Sequence, residues 1–136
     1  MDFDGLIGPI DLREINRWEA IEELINHLVA NRKIKPEHQD AIAASVRLRE
    51  SAMTTGIGFG IGIPHAATDL ITEIIGIVGR SRQGIQFNAV DGKPVHLVLL
   101  YLVPQGEFQK HAQTLANMAK MLHHQDFRDG LWGRFS

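Results

Sequence analysis

The 136-residue chain contains no cysteine. This absence excludes a disulfide scaffold, a thiolate zinc site and a cysteine nucleophile, and it fits a reducing cytoplasm. Long apolar runs are also missing. The longest run lies within Val95–Val103, is interrupted by His96 and Tyr101, and falls well short of the roughly 20 residues that a membrane helix needs. The chain starts with an acidic segment, unlike a secretory signal, so we expect a cytoplasmic protein without direct membrane insertion.

Excess positive charge is absent as well. The chain has 14 Lys and Arg against 16 Asp and Glu, with a formal net charge of -2. No broad positive field results, so we expect no nucleic-acid partner. Hydrophobic residues make up 44% and charged residues 22% of the chain, which is typical of an ordinary globular protein. We find no internal repeat or linker and predict a single domain over residues 1–136.

Apolar periodicity predicts the helices. Asn16 is a candidate N-cap, and a helical face of Trp18, Ile21, Ile25 and Leu28 follows it. Pro36 suits the first turn of a second helix that ends near Glu50. A third helix is predicted over about 107–124 and a short one over Asp126–Trp132. The predicted inner positions of the second helix are Ile42, Val46 and Arg49, and those of the third are Phe108, Ala112, Leu115, Ala119 and Leu122.

The remaining apolar segments predict strands. A short strand is expected near Leu12–Ile15, a second over Glu73–Arg80, and a central strand, buried on both faces, over Val95–Val103. Asp91-Gly92 marks the turn before that central strand. The order helix, helix, strands, helix predicts an α/β sandwich with a mixed sheet rather than a doubly wound fold.

The stretch from Gly56 to Gly62 has a glycine at every second position, and Pro64-His65 follows it. It lacks the Gly-Lys-Ser/Thr of a P-loop, and a proline stands where a dinucleotide-binding loop would open a helix. Imidazole is a nucleophile near neutral pH and can attack phosphorus. Backbone N–H groups of the loop and a nearby cation would then hold the incoming charge. This pattern makes His65 a candidate phosphoryl acceptor.

Several segments together resemble the enzyme IIA domains of the bacterial phosphotransferase system, of the fructose/mannitol/nitrogen-regulatory type. They are Arg49-Glu50, the Thr-Gly-Ile-Gly run, Ile61–His65, Ile85–Phe87, Asp91–Val95 and the strand ending at Val103-Pro104, so the resemblance spans about residues 10–130. It implies a mannitol-type enzyme IIA fold, a three-layer α/β/α sandwich of the α/β (α+β) class. It also implies a phosphocarrier that needs no cofactor or metal.

In that family a histidine takes a phosphoryl group from the phosphohistidine of an HPr-like carrier protein. It passes the group to a cysteine of a IIB domain or holds it as a signal for a regulatory target. The resemblance places His65 at the phosphorylated position, Arg49 at a phosphate-stabilising position and His111 at the second active-site histidine. The structural alternatives are a helix-end salt bridge of Arg49, for example with Glu50, and a partly buried helix histidine at position 111.

The chain departs from the family pattern in two places. Ala66-Ala67 follows the Pro-His pair where the family has glycine and often lysine, which affects loop geometry and partner choice. The family also has a further C-terminal helix, so we expect this domain to lack it or to pack its end differently. Exposed Trp132 and Phe135 would then favour self-association.

Other residues allow additional interpretations. Phe59 suits either a partner-docking patch or simple packing, and Thr54 and Thr55 lie close enough in sequence to contact a ligand. His123-His124 is better explained as solvated surface than as a metal pair, because adjacent helix positions point about 100° apart. Two alternative functions stay open: a non-catalytic regulatory or protein-interaction module on the same fold, and a metal-dependent hydrolase that uses His65 and His111.

Overall fold

The computed structural model describes residues 6–133, apart from the side chains of Phe108, His111, Thr114, Leu115, Ala119 and Leu131. Four helices and six strands follow one another within these described residues. The helices are α1 (Arg17–Ala30), α2 (Gln39–Ala52), α3 (Phe108–Met121) and α4 (Gln125–Gly133), with short 3-10 turns at Pro36–His38 and Gln105–Glu107. The strands are β1 (Ile7–Asp11), β2 (Gly56–Gly58), β3 (Ile61–Gly62), β4 (His65–Thr68), β5 (Ile75–Ile85) and β6 (Val95–Pro104).

The strands form one mixed sheet in the order β1-β5-β6-β3-β2, and β4 also pairs with β6. Strands β5 and β6 are antiparallel, whereas β1 runs parallel to β5. Strands β3 and β4 run parallel to β6 one after the other, so that Ile61 lies beside Leu97 and His65 beside Tyr101. The prediction of a mixed sheet is confirmed.

Strand β6 shows why the sheet needs cover on both faces. Its alternate residues Val98, Leu100 and Leu102 join a core cluster with the inner faces of α1 and α2. Leu97, Leu99 and Tyr101 join a second cluster with Met118, Leu122 and Trp132 from the C-terminal helices. Successive side chains of a strand point to opposite faces of the sheet. An unbroken apolar run therefore has two apolar faces, and helices cover both of them. The three-layer α/β/α sandwich and the central position of this strand are confirmed.

The predicted helices are observed with small shifts at their ends. The Asn16 side chain caps α1 by accepting a hydrogen bond from the Glu19 backbone N–H at 2.9 Å, as predicted. Ile21, Ile25 and Leu28 of the predicted face are fully buried. Helix α2 runs to Ala52, two residues beyond the prediction, and α4 covers the short helix predicted over Asp126–Trp132.

The strand predicted near Leu12–Ile15 is wrong. Strand β1 covers Ile7–Asp11 instead, because this segment has a parallel partner in β5, with Ile7 beside Ile77. Leu12 is a buried core residue just after the strand ends. The strand predicted over Glu73–Arg80 starts at Ile75 and continues to Ile85, since its antiparallel partner β6 provides hydrogen bonds past Arg80.

The expectation that Trp132 is exposed is also wrong. The ring is partly buried against the second core cluster. The Arg80 guanidinium lies 5.9 Å from the ring centre and donates a hydrogen bond to the Trp132 carbonyl at 2.8 Å. A long buried cation therefore ties the end of α4 to the sheet. Phe135 lies outside the described residues, so self-association stays a prediction.

Candidate functional site

His65 is the first residue of strand β4, not a loop residue, although the sequence predicted no strand there. The backbone carbonyl of Pro64 accepts a hydrogen bond from the Tyr101 N–H at 3.0 Å and so continues the ladder. His65 lies beside Tyr101 in the parallel register, and Tyr101 belongs to the cluster on the α3 side of the sheet. The half-buried imidazole therefore lies on the same side of the sheet as α3.

The ring of His65 is held in one tautomer. Its Nδ1 lies 2.9 Å from the carbonyl oxygen of Ile63, and a carbonyl only accepts, so Nδ1 carries the proton and Nε2 has a free lone pair. No described residue bonds to Nε2. Burial, followed by the charge of Arg49, lowers the pKa of His65, which favours the neutral nucleophile.

The glycine run before His65 folds into the hairpin of β2 and β3, and its glycines are required for different reasons. A Cβ on Gly62 would lie 2.8–3.1 Å from three atoms of the Phe87 ring, and one on Gly56 would lie 2.8 Å from the backbone of Ala89. Gly60 instead has a φ of +75°, which side-chain-bearing residues rarely adopt. The run is thus a close-packed hairpin that delivers Pro64-His65 to the sheet.

Arg49 lies in the last turn of α2 and donates a hydrogen bond from Nη1 to the Met53 carbonyl at 3.0 Å. Its charge acts on the imidazole of His65, whose pKa is lowered by burial first and by Arg49 as well. The two predicted site residues are therefore near enough for the charge of Arg49 to act on His65. The alternative salt bridge between Arg49 and Glu50 is absent among the described residues, where Glu50 pairs with Arg17 instead.

Glu50 is the residue of this region that the sequence analysis missed. The residue is 1% exposed, and its carboxylate accepts hydrogen bonds from the hydroxyl and backbone N–H of Thr55 at 2.6 and 2.9 Å. The available signal was its spacing: Ile42, Val46 and Glu50 recur every four residues and share one helix face. The periodicity therefore puts Glu50, rather than Arg49, at the most buried position of that face.

Thr54 and Thr55 serve the fold. The Thr54 hydroxyl donates to the Phe87 carbonyl at 2.9 Å and accepts from the Gly56 N–H, while Thr55 holds Glu50. Both hydroxyls therefore brace the start of the glycine hairpin. Ligand contact by either threonine stays a prediction.

His111 is the fourth residue of α3. The side chain of His111 is outside the part of the chain that the structure describes. Its helix packs on the face of the sheet toward which His65 points. The proximity of the two histidine side chains therefore stays a prediction.

Phe59 lies at the hairpin tip, where it is both exposed and packed. It has a φ of +58° and is 53% exposed, yet its ring packs edge-on against His123 at 5.0 Å and under Arg128 at 4.8 Å. Packing is thus observed, and His123 is a packing residue as well as a surface one. A cleft of about 710 Å³ beside the tip is lined by Phe59 and Lys93, among others, and its lining does not include His65. A docking role of Phe59 stays a prediction.

Two further properties concern only the described part of the chain. There, no cluster of three or more His, Asp or Glu side chains is arranged to hold a metal ion. No helix in residues 6–133 is both long enough and apolar enough to cross a bilayer.

The described groups at the site of His65 are thus an imidazole held in one tautomer, a nearby guanidinium and a buried carboxylate.

Comparison with known proteins agrees with this fold. A model of the family described as "Phosphoenolpyruvate-dependent sugar phosphotransferase system, EIIA 2" matches residues 10–133. The fructose-specific EIIA component of the phosphotransferase system from Haloferax volcanii is 39% identical over 112 residues, which cover 82% of this chain and 71% of that protein.

Two solved structures share the architecture. The nitrogen regulatory protein IIA-Ntr from Neisseria meningitidis aligns with a TM-score of 0.80 at 28% identity, over 93% of this chain and 84% of that one. Enzyme IIA of the Escherichia coli mannitol system, solved in complex with its phosphorylated IIB, aligns with a TM-score of 0.72. The mannitol protein is 18% identical over 100% of this chain and 90% of that one. At this identity, the likeness between the two proteins concerns the fold alone.

The fold and the comparisons define a phosphocarrier component of the phosphotransferase system. The chain belongs to the EIIA 2 family of the phosphoenolpyruvate-dependent sugar phosphotransferase system. The predicted family and its mannitol-type fold are confirmed.

Proposed function

We propose that His65 accepts a phosphoryl group on Nε2 from the phosphohistidine of an HPr-like carrier protein and passes it to the cysteine of a IIB domain. The observation that carries this proposal is the hydrogen bond from Nδ1 to the Ile63 carbonyl. That bond leaves Nε2 unprotonated and fixes its direction, and a nucleophile needs both properties.

The bonds formed and broken in this phosphoryl transfer balance without a cofactor. The Nε2 lone pair of His65 forms the new N–P bond while the N–P bond of the donor breaks, and the electron pair of that bond returns to the donor imidazole. The proton on Nδ1 stays in its hydrogen bond to the Ile63 carbonyl and balances the charge of the new phosphoimidazole. In the second step a cysteine thiolate of the IIB domain attacks the same phosphorus, and His65 returns to its neutral form.

Arg49 and His111 are the proposed auxiliary groups. Arg49 uses Nη1 for the Met53 carbonyl, and a guanidinium has five N–H donors, so several of its donors are free for phosphate oxygens. Its charge already acts on His65. His111, on the helix that covers this side of the sheet, would steady the phosphoryl group or the ring of His65 by donating a hydrogen bond.

The family and one neighbour support the proposed partners. The mannitol enzyme IIA, which shares the fold, was solved bound to a phosphorylated IIB protein. A protein donor also fits the half-buried surface position of His65. Both partners would meet this chain in the cytoplasm.

Labelling with radioactive phosphoenolpyruvate and a matched carrier system tests the proposal. We expect one acid-labile phosphohistidine in the wild type and none in His65→Ala. His96→Ala is the matched control, because His96 is also half-buried and its Nδ1 also lies 2.8 Å from a carbonyl, that of Ser81. A wild type without label, or a His65→Ala variant that labels like the wild type, would contradict the proposal.

A regulatory role is the second candidate, because the chain shares its fold and 28% of its residues with a nitrogen regulatory protein. In that case the phosphoryl group on His65 acts as a signal rather than as cargo. A chase of the labelled protein with IIB domains separates the two roles. Transfer of the label supports the carrier role, and retention of the label together with partner binding that depends on phosphorylation supports the regulatory one.

A further inference from the structure

A continuous series of hydrogen bonds leads from the first turn of α1 to the imidazole of His65. The Arg17 guanidinium lies 3.3 Å from the Glu50 carboxylate, which accepts two hydrogen bonds from Thr55. The Thr55 carbonyl accepts a hydrogen bond from the Ile63 N–H at 3.1 Å, and the Ile63 carbonyl accepts the one from Nδ1 of His65 at 2.9 Å. Each hydrogen bond in the series restrains the residue that forms the next hydrogen bond.

The centre of this series is buried and charged. Glu50 is 1% and Thr55 is 5% exposed. A buried carboxylate is costly unless it is paired and hydrogen-bonded, and here all three contacts hold it in place. Its two bonds to Thr55 fix the position of that residue at both its backbone and its side chain. Pro64, directly after Ile63, limits the backbone further, so the carbonyl that receives Nδ1 has little freedom to turn.

Glu50 also acts on His65 by its charge. Burial has the largest effect on the pKa of His65 and lowers it, the hydrogen bond to Ile63 raises it, the charge of Arg49 lowers it and that of Glu50 raises it. Arg49 and Glu50, at the end of α2, are thus the charged groups among the described side chains whose charge acts on the ring. The two charges oppose each other, and the buried one also controls the backbone that holds the ring.

We propose that Glu50 is a positioning residue for His65: through Thr55 and the Ile63 carbonyl it keeps the imidazole in the tautomer whose Nε2 is free to take the phosphoryl group. The inference rests on the proposed function of His65 for its kinetic consequence, but its structural part does not. Glu50 touches neither the phosphoryl group nor the donor. Its effect is on the direction and the protonation state of the nucleophile.

Glu50→Gln tests the proposal because it keeps the shape of the side chain and removes its charge and one of its two acceptor oxygens. We expect the maximal rate of His65 labelling to fall at least about tenfold, since small misplacements of a reacting group are costly, while the carrier concentration at half-maximal rate stays within about twofold. Nitrogen NMR of the imidazole should show a loss of the Nδ1-protonated tautomer and a lower titration midpoint. Glu22→Gln, an exposed glutamate of α1, should change none of these.

Thr55→Val is the second variant, in case Glu50→Gln does not fold. It removes only the hydroxyl bond to the carboxylate, so we expect the same changes at smaller size. A normal labelling rate, tautomer and titration in either folded variant, accompanied only by a lower Tm, would overturn the proposal and leave Glu50 a purely structural residue. If the wild type is not labelled at all, the proposed function fails, and the NMR comparison still decides whether Glu50 positions the ring.

Discussion

The buried pair of Arg17 and Glu50 allows a quantitative prediction. Arg17→Met keeps most of the apolar length of the side chain but removes the charge that faces Glu50. The carboxylate is then buried without a cation, held only by its bonds to Thr55. Breaking a buried pair by removing one partner costs about 3–5 kcal/mol. Since Arg17 is 18% exposed and the contact is 3.3 Å, we expect the lower end, about 3 kcal/mol.

The same fold offers a matched control. Arg47 pairs with Glu22 on the surface, where the two side chains are 50% and 47% exposed. Solvent screens such a pair, so Arg47→Met should cost less than about 1 kcal/mol. The two substitutions are chemically identical, and the partner carboxylate is buried in one pair and exposed in the other.

Urea unfolding, followed by circular dichroism, measures both variants. With a slope of about 2 kcal/mol/M for a chain of this size, Arg17→Met should lower the unfolding midpoint by about 1.5 M, and Arg47→Met by less than about 0.5 M. Arg17 also donates to the Phe87 carbonyl and stacks on Trp18, so a double-mutant cycle with Glu50→Gln is needed to isolate the pair. We expect a coupling energy of about 2 kcal/mol.

Two results would refute this reasoning. Equal losses in Arg17→Met and Arg47→Met would show that burial of Glu50 has no energetic weight. A coupling energy near zero in the cycle would show that Arg17 acts only through its other contacts.

Three further predictions concern the hairpin, the histidine and the last helix. Gly62→Ala should cost about 1–3 kcal/mol in urea unfolding, because its Cβ would press on the buried Phe87 ring; a neutral result would mean that the ring has room to move. Burial lowers the pKa of His65, so the stability that the neutral imidazole contributes is present above about pH 6.5 and is lost as the pH falls below that value. Between pH 7.5 and 5.5 the Tm of His65→Gln should therefore fall less than the Tm of the wild type. Equal falls in the two Tm values would contradict this prediction. Arg80→Met removes the donor to the Trp132 carbonyl, so amide exchange in α4 should accelerate about tenfold, the equivalent of about 1.4 kcal/mol, and unchanged exchange would show that α4 is held by packing alone.

Local signals in the sequence were enough for most of the architecture. The run at Val95–Val103 has no polar face, so it had to be buried on both sides, and β6 is the central strand. Asn16 and the apolar spacing after it predicted α1 with its cap. Strand β4 escaped prediction because His65–Thr68 is short and gains its strand geometry only from pairing with β6. The start of β1 likewise depends on its partner β5.

At the candidate site, the sequence by itself predicted the candidate nucleophile: no cysteine is available, the glycine run fits no nucleotide loop, and Pro64-His65 follows it. Only the tertiary structure decided which nitrogen of His65 is free, because the carbonyl that binds Nδ1 is positioned by backbone turns rather than by residue type. It also decided that Arg17, distant in sequence, rather than the adjacent Arg49 pairs with Glu50. Neighbours on a helix point in different directions, and a buried charge pairs with whichever cation the packing of two helices brings to it.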